Sequence, residues 1–143
     1  MKDDSLQTIE LEMAILARRI TSISSNKKHY KLDRSAYLLL HQITTTGTAG
    51  VKQLACELRL DISTVSRQAA ALEVKGFVSK VPSPHDRRSY FYQVTELGSK
   101  ELYEYKQFRL SRFSELLDDW SEEEQQHFGQ LLKKFNHAIR DVT

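Results

Sequence analysis

Residues 61–76 read DISTVSRQAAALEVKG, and the way this stretch winds decides the fold. At about 100° per residue, Ile62, Val65, Ala69, Leu72 and Gly76 gather on one side, which packs inward. Ser63, Thr64, Arg67, Ala70 and Ala71 gather on the other, with Ser66 and Gln68 on the flanks. Asp61 and Ser63 are both able to cap the start of such a helix. Gly76 is the residue type favoured where a helix terminates in a left-handed conformation.

The outward face is unusual in its chemistry. Hydroxyls and amides bond base edges or phosphate oxygens, and an arginine grips guanine with two hydrogen bonds. The free amides of a helix N-terminus offer a seat to phosphate. The alanines leave no bulk to hold the helix away from a groove floor. For an isolated helix a solvated surface would explain all of this. Its neighbours argue otherwise. Val51, Leu54, Ala55 and Leu58 form the stripe of a short preceding helix, joined to it by the tight turn RLDIS. After Gly76, Phe77–Val81 and Tyr90–Val94 read as two short strands.

The hairpin loop contains Pro82, Pro84, His85, Asp86, Arg87 and Arg88. The prolines fix φ and limit the entropy lost on docking. Two arginines at such a tip suit the narrow, negative minor groove. Asp86 is expected to pair with Arg88, or else Arg87, and hold that guanidinium in a fixed pose. Without the helix–turn–helix before it, this would be an ordinary solvated ion pair.

Farther out, Leu6, Ile9, Met13, Leu16, Ile20 and Ile23 recur every three or four residues, the seam of a long amphipathic helix. SSNKKHYKLD is a polar break, and Asp33 caps a second helix holding Tyr37, Leu38, Leu40 and Ile43. TTTGTAG, residues 44–50, reads as a loop or short extended piece. Thr95 caps a long helix reaching about Asp118. Ser121 and Glu124 form a capping box for a last helix with Phe128, Leu131, Leu132, Phe135 and Ile139 on one face. The expected fold is mostly α with a small β-hairpin wing, a winged helix-turn-helix. The 143 residues make a single domain with a DNA-binding lobe at 33–94. Dimerisation helices are expected at 1–27 and 95–143. The first and last apolar stripes need covering; a two-fold dimer would cover both, and the alternative is that they cover each other within one chain.

The net charge of +2 is unevenly spread. Residues 51–93 balance at +3 and residues 94–143 at −3, a mildly basic middle that weakly favours nucleic acid. No apolar run is long enough to span a bilayer. The acidic start MKDDSLQTIE lacks the apolar core of a signal peptide, so a cytoplasmic protein without a membrane partner is expected. Cys56 is the only cysteine, which excludes an internal disulfide, and it is expected to be an incidental, partly exposed thiol. The five histidines form no tight ligand pattern, leaving only a remote metal option through His29 and His41; no metal and no cofactor are expected. There is no glycine-rich phosphate loop, zinc-peptidase spacing or paired carboxylates, so an enzyme is not expected.

VKQLACELRLDISTVSRQAAALEVKGFVSKVPSPHDRRSYFYQVTELG, residues 51–98, resembles the MarR family of bacterial transcriptional regulators. The junction Leu72–Val78 and the Asp86-Arg87-Arg88 wing followed by Thr95-x-x-Gly98 carry the likeness, and the flanking helices fit in length and order. The resemblance implies a homodimeric repressor of a pseudo-palindromic operator in double-stranded DNA, released by a small lipophilic or phenolic effector. It places Ser63, Thr64, Ser66, Arg67 and Gln68 in the major groove, and Arg87 and Arg88 at the wing tip with Asp86 orienting Arg88. Redox-sensing relatives carry their cysteine in the first helix, where this chain has none. Tyr37 and His41, one turn apart, are the expected lining of an effector pocket. The alternative is a winged-helix module for protein–protein contact, without an effector.

Overall fold

The computed structural model describes residues 2–24 and 31–142. Among these residues, six helices and one hairpin follow in order: α1 (Lys2–Ser24), α2 (Arg34–Thr46), α3 (Val51–Leu58), α4 (Ile62–Val74), β1 (Val78–Pro82), β2 (Tyr90–Val94), α5 (Glu96–Leu116) and α6 (Glu122–Val142). The chain divides into two compact units, Met1–Tyr105 and Lys106–Thr143. Residues 25–30 of the expected polar break, His29 among them, and the side chain of Ile23 lie outside the described residues.

The first unit holds the core. Leu39, Leu40 and Ile43 of α2, Leu54 of α3, Val65, Ala69 and Leu72 of α4, and Phe77, Val78 and Tyr92 of the hairpin form one buried cluster. Tyr105 of α5 joins it. The spacing of these residues places each helix's stripe toward that cluster. Leu38, grouped with the α2 core residues on sequence, is instead exposed, and Leu39 takes the inward position.

Helix α2 begins as expected, with the Asp33 carboxylate accepting from the Ala36 amide at 2.9 Å. It ends later than expected. Thr44 to Thr46 are helical rather than loop. The hydroxyls of Thr44 and Thr45 donate to the carbonyls of Leu40 and His41, at 2.8 and 2.9 Å, which lets β-branched residues sit in a last helical turn. Gly47 then turns at a φ of 95°.

Helix α3 stops at Arg59, which adopts the left-handed conformation at φ 57° and ψ 45°. The amides of Arg59 and Leu60 reach back to Cys56 and Ala55, at 3.4 and 2.9 Å, closing the turn that a glycine usually closes. Helix α4 ends with the same motif on a glycine: Gly76, at φ 82°, donates to Glu73 and Phe77 donates to Leu72, both at 2.9 Å. The fold therefore has its helix–turn–helix followed by a hairpin, a winged helix-turn-helix.

The hairpin pairs antiparallel from Val78–Val94 to Pro82–Tyr90. Ala49 adds a one-residue third strand, exchanging hydrogen bonds of 3.1 and 2.8 Å with Tyr92. The Thr95 hydroxyl donates to the carbonyl of Gly76 at 2.7 Å and accepts from the amide of Gly98 at 3.0 Å. Start of α5 and end of α4 are thus tied through one side chain. A Cβ on Gly98 would stand 2.1 Å from the Phe77 carbonyl oxygen, so only glycine fits there.

The second unit contains the end of α5 and all of α6. Ser121 and Glu124 form the expected capping box, amide to side chain in both directions at 2.9 and 3.1 Å. Acidic Glu122 to Glu124 sit in the first turn of α6 and Arg140 in the last, both favourable to the helix dipole. No side chain of α6 is buried.

Candidate nucleic-acid interface

The core fixes which side of α4 faces out. Val65, Ala69 and Leu72 are buried, so Ser63, Ser66, Arg67, Ala70 and Ala71 are exposed, while Thr64 and Gln68 are half-buried at the edges. The expected face is therefore brought together on one helix surface. Ile62 departs from the helical-wheel reading. At the first helical position it lies beyond the reach of the core and is 49% exposed.

Asp61 caps α4 more completely than its sequence position alone implied. One carboxylate oxygen accepts from the Thr64 hydroxyl at 2.7 Å. The other accepts from the Ser63 hydroxyl and, at 3.3 Å, from the Thr64 amide. These donors, the Ser63 and Thr64 hydroxyls foremost, lower the pKa of Asp61 to about 2. The expected seat for phosphate at this helix end is occupied by the chain's own anion.

The wing carries the remaining expected residues. Asp86, Arg87 and Arg88 are all exposed in the loop between β1 and β2. Asp86 is used differently from the expected ion pair. Its Oδ1 accepts from the backbone N–H of Arg88 at 2.9 Å, and its carbonyl accepts from the Ser89 amide at 3.2 Å. No ion pair joins it to Arg87 or Arg88; nearby, Lys80 pairs with Glu73, at 3.6 Å. Aspartate readily bonds the backbone two residues on, and in a tight loop that local bond wins over a long, solvated guanidinium. Asp86 thus shapes the loop and leaves both arginines pointing to solvent.

The wing root is tied to α4 by residues that the sequence reading passed over. Lys80 of β1 reaches Glu73 of α4 and also lies 4.3 Å from the centre of the Tyr90 ring. Tyr90 in turn meets Tyr92 edge-on, with centroids 5.5 Å apart. Cross-strand partnering of Lys80 with Tyr92, two residues from Tyr90, was available in the hairpin register as a signal.

Tyr37 is half-buried against the core, with its ring 5.2 Å from Tyr105 and 6.2 Å from His41. A cleft of about 200 Å³ lies elsewhere, between the start of α2 and the flank of α4, lined by Asp33, Ser35, Gln68 and Lys75 among others. Cys56 is exposed. Among the described residues no group of three His, Cys, Asp or Glu is placed to hold a metal, and no helix is long and apolar enough to cross a membrane.

Comparison with known proteins gives the same picture. The sequence model of the MarR family matches residues 32–90. The HTH-type transcriptional regulator YxaD of Bacillus subtilis (strain 168) is 42% identical over 137 residues, covering 95% of this chain and 96% of its own. The HTH-type transcriptional regulator BilQ of Clostridioides difficile (strain CD3) is 24% identical over 115 residues, covering 80% and 75%. Among solved structures, a MarR family protein from Bacillus stearothermophilus superposes with a TM-score of 0.81 at 19% identity, covering 98% of this chain and 99% of that one. FabT of Streptococcus pneumoniae, solved in complex with DNA, superposes at 0.78 with 22% identity, covering 96% and 99%. With its helix–turn–helix, its hairpin and a close relative matched almost end to end, the chain belongs to the MarR family of winged helix-turn-helix transcriptional regulators.

Proposed function

We propose that this regulator is a homodimeric repressor whose two winged helices read the halves of a pseudo-palindromic operator. The observation that carries this reading is the pairing of two surfaces in one lobe, both turned away from its core. One is the α4 face of Ser63, Thr64, Ser66, Arg67 and Gln68; the other is the Arg87–Arg88 tip that Asp86 holds through the loop backbone. Small polar groups with an arginine suit the major groove, and a cationic tip suits the neighbouring minor groove. The dimer rests on the uncovered apolar faces of α1 and α6, which include Leu6, Leu16, Leu131 and Phe135.

Selection of bound fragments from a random DNA pool tests the reading. The expected product is an inverted repeat with half-sites about one helical turn apart. A pool that emerges unenriched would leave the protein-contact role instead. Light scattering at micromolar concentration is expected to give twice the chain mass, and a monomer there rules out the architecture.

An effector is the remaining part of the proposal. A small lipophilic or phenolic molecule would meet Tyr37 and His41, beside Tyr105. Release of the selected DNA by a panel of simple phenols, lost on Tyr37→Ala, is the expected behaviour. Release unaffected by that change would move the site elsewhere.

A further inference from the structure

A hydroxyl has one hydrogen and two lone pairs. At the start of α4 both hydroxyl hydrogens are already committed. Ser63 donates to Asp61 Oδ2, and Thr64 donates to Asp61 Oδ1 at 2.7 Å. The direction of these bonds follows from the acceptor, because an ionised carboxylate has no hydrogen to give, and Asp61 is held ionised far below neutral pH. Ser63 and Thr64 therefore turn only lone pairs outward. Resting on the proposed role of α4 as the helix that enters the major groove, we propose that Asp61 is a positioning residue. It makes Ser63 and Thr64 obligate hydrogen-bond acceptors, which select the amino bases adenine and cytosine over the keto bases guanine and thymine at the positions they face.

The base edges supply the logic. Adenine N6 and cytosine N4 donate in the major groove, whereas guanine O6 and N7 and thymine O4 accept. An acceptor-only hydroxyl bonds the first pair and is repelled by the second. Re-aiming either hydrogen at a keto oxygen would strip a donor from the carboxylate and leave it facing an electronegative groove floor. The same accounting denies a phosphate oxygen both hydroxyl donors at this helix end. Arg67, exposed about one turn farther along, has the opposite character: a guanidinium only donates. The reading face thus runs from acceptors at its start to a donor at its middle, and its preference should change from amino to keto along the half-site.

The test is selection from random DNA with the full-length wild type and four variants. Ser63→Ala and Thr64→Val remove each hydroxyl and so identify the positions they face. Wild type is expected to favour adenine or cytosine there by roughly tenfold. Asp61→Asn keeps a good helix cap, and a melting temperature near that of wild type verifies this. Its amide nitrogen donates to one hydroxyl, frees that hydrogen to point outward, and is expected to cut the preference to about twofold or less at that position. Arg67→Ala should relax a different position. A general loss of cap strength would lower affinity for every sequence alike, which base preference does not register. The proposal is overturned if wild type favours guanine or thymine at the mapped positions. It is equally overturned if Asp61→Asn keeps the full preference, or if neither hydroxyl variant changes any position while Arg67→Ala does. Failure of wild type to select any sequence would bring down the DNA-reading assignment of α4 itself, and this proposal with it.

Discussion

Helices α4 and α6 both carry a clear apolar stripe, but the chain treats the two stripes in opposite ways. On α4 the inward residues Val65, Ala69 and Leu72 are fully or almost fully buried, against α2, α3 and β1. On α6 Leu131 is 62% and Ile139 46% exposed, and no residue of the helix is buried. Small and medium side chains on α4 match a core already built by its sequence neighbours. The large residues of α6 do not belong to that buried core, and an exposed apolar row of this kind suits a surface that meets another molecule. One helix is finished by its own chain and presents a polar face; the other leaves its stripe exposed, as the proposed dimer requires.

If that contrast holds, charging the α6 stripe should separate assembly from folding. Leu131→Asp with Phe135→Asp removes four large apolar side chains from a two-fold interface. At about 1.5 kcal/mol each the dimer should lose on the order of 6 kcal/mol. Sedimentation should report monomers, while the helical content of the lobe remains. A variant that stays dimeric would put the interface elsewhere. The finished side should respond as a fold does. Gly98→Ala drives a methyl into the Phe77 carbonyl, and thermal or denaturant unfolding should show a loss of about 3 kcal/mol. On the proposed reading face of α4, Arg67→Ala should cost roughly 2 kcal/mol on the selected operator and little on other DNA. Arg88→Ala should weaken binding to all DNA and reduce the salt slope by about 1. Equal slopes for wild type and Arg88→Ala would remove the wing from the phosphate or groove contacts.

The two smallest effects concern the turn between α3 and α4. Arg59 occupies a left-handed conformation that costs a side chain roughly 1 kcal/mol, so Arg59→Gly should raise stability by about that amount in urea unfolding. Asp61 titrates low in the folded chain, so its contribution is whole above pH 4 and fades as the pH falls toward 2, its folded value. The melting-temperature difference between wild type and Asp61→Ala, which removes the cap, should shrink across that interval. A constant difference would mean the carboxylate is not better bonded in the folded state.

Much of this was legible in the residues. The α4 stripe, the capping Asp33, Asp61, Thr95 and Ser121, the left-handed Gly76 and the hairpin ladder are local rules acting where tertiary packing agrees with them. What escaped had competing local chemistry. Three threonines suggested a break, but their hydroxyls bonded backward and kept α2 helical to Thr46. Arg59 hid a helix stop because nothing in its side chain advertises positive φ. Asp86 had both a backbone amide and a guanidinium within reach, and proximity along the chain decided for the amide. At the candidate interface, which side of α4 faces away from the core and the exposure of the wing tip were readable from spacing. The hydrogen-bond polarity of Ser63 and Thr64 was not, because it depends on where the carboxylate beside them sits.

The single-residue bridge at Ala49 has a mechanical meaning. With two hydrogen bonds to Tyr92 on one side and the Lys80–Glu73 contact on the other, the hairpin is clamped at its base like a cantilever set in a wall. Its free end, residues 83–89, is braced by its own short loop bonds and by nothing from the core. Such a beam yields at the tip and stays stiff at the root, so under the proposed DNA-reading role the two arginines follow a groove that widens or narrows from one sequence to the next while the helix beside them keeps its registration.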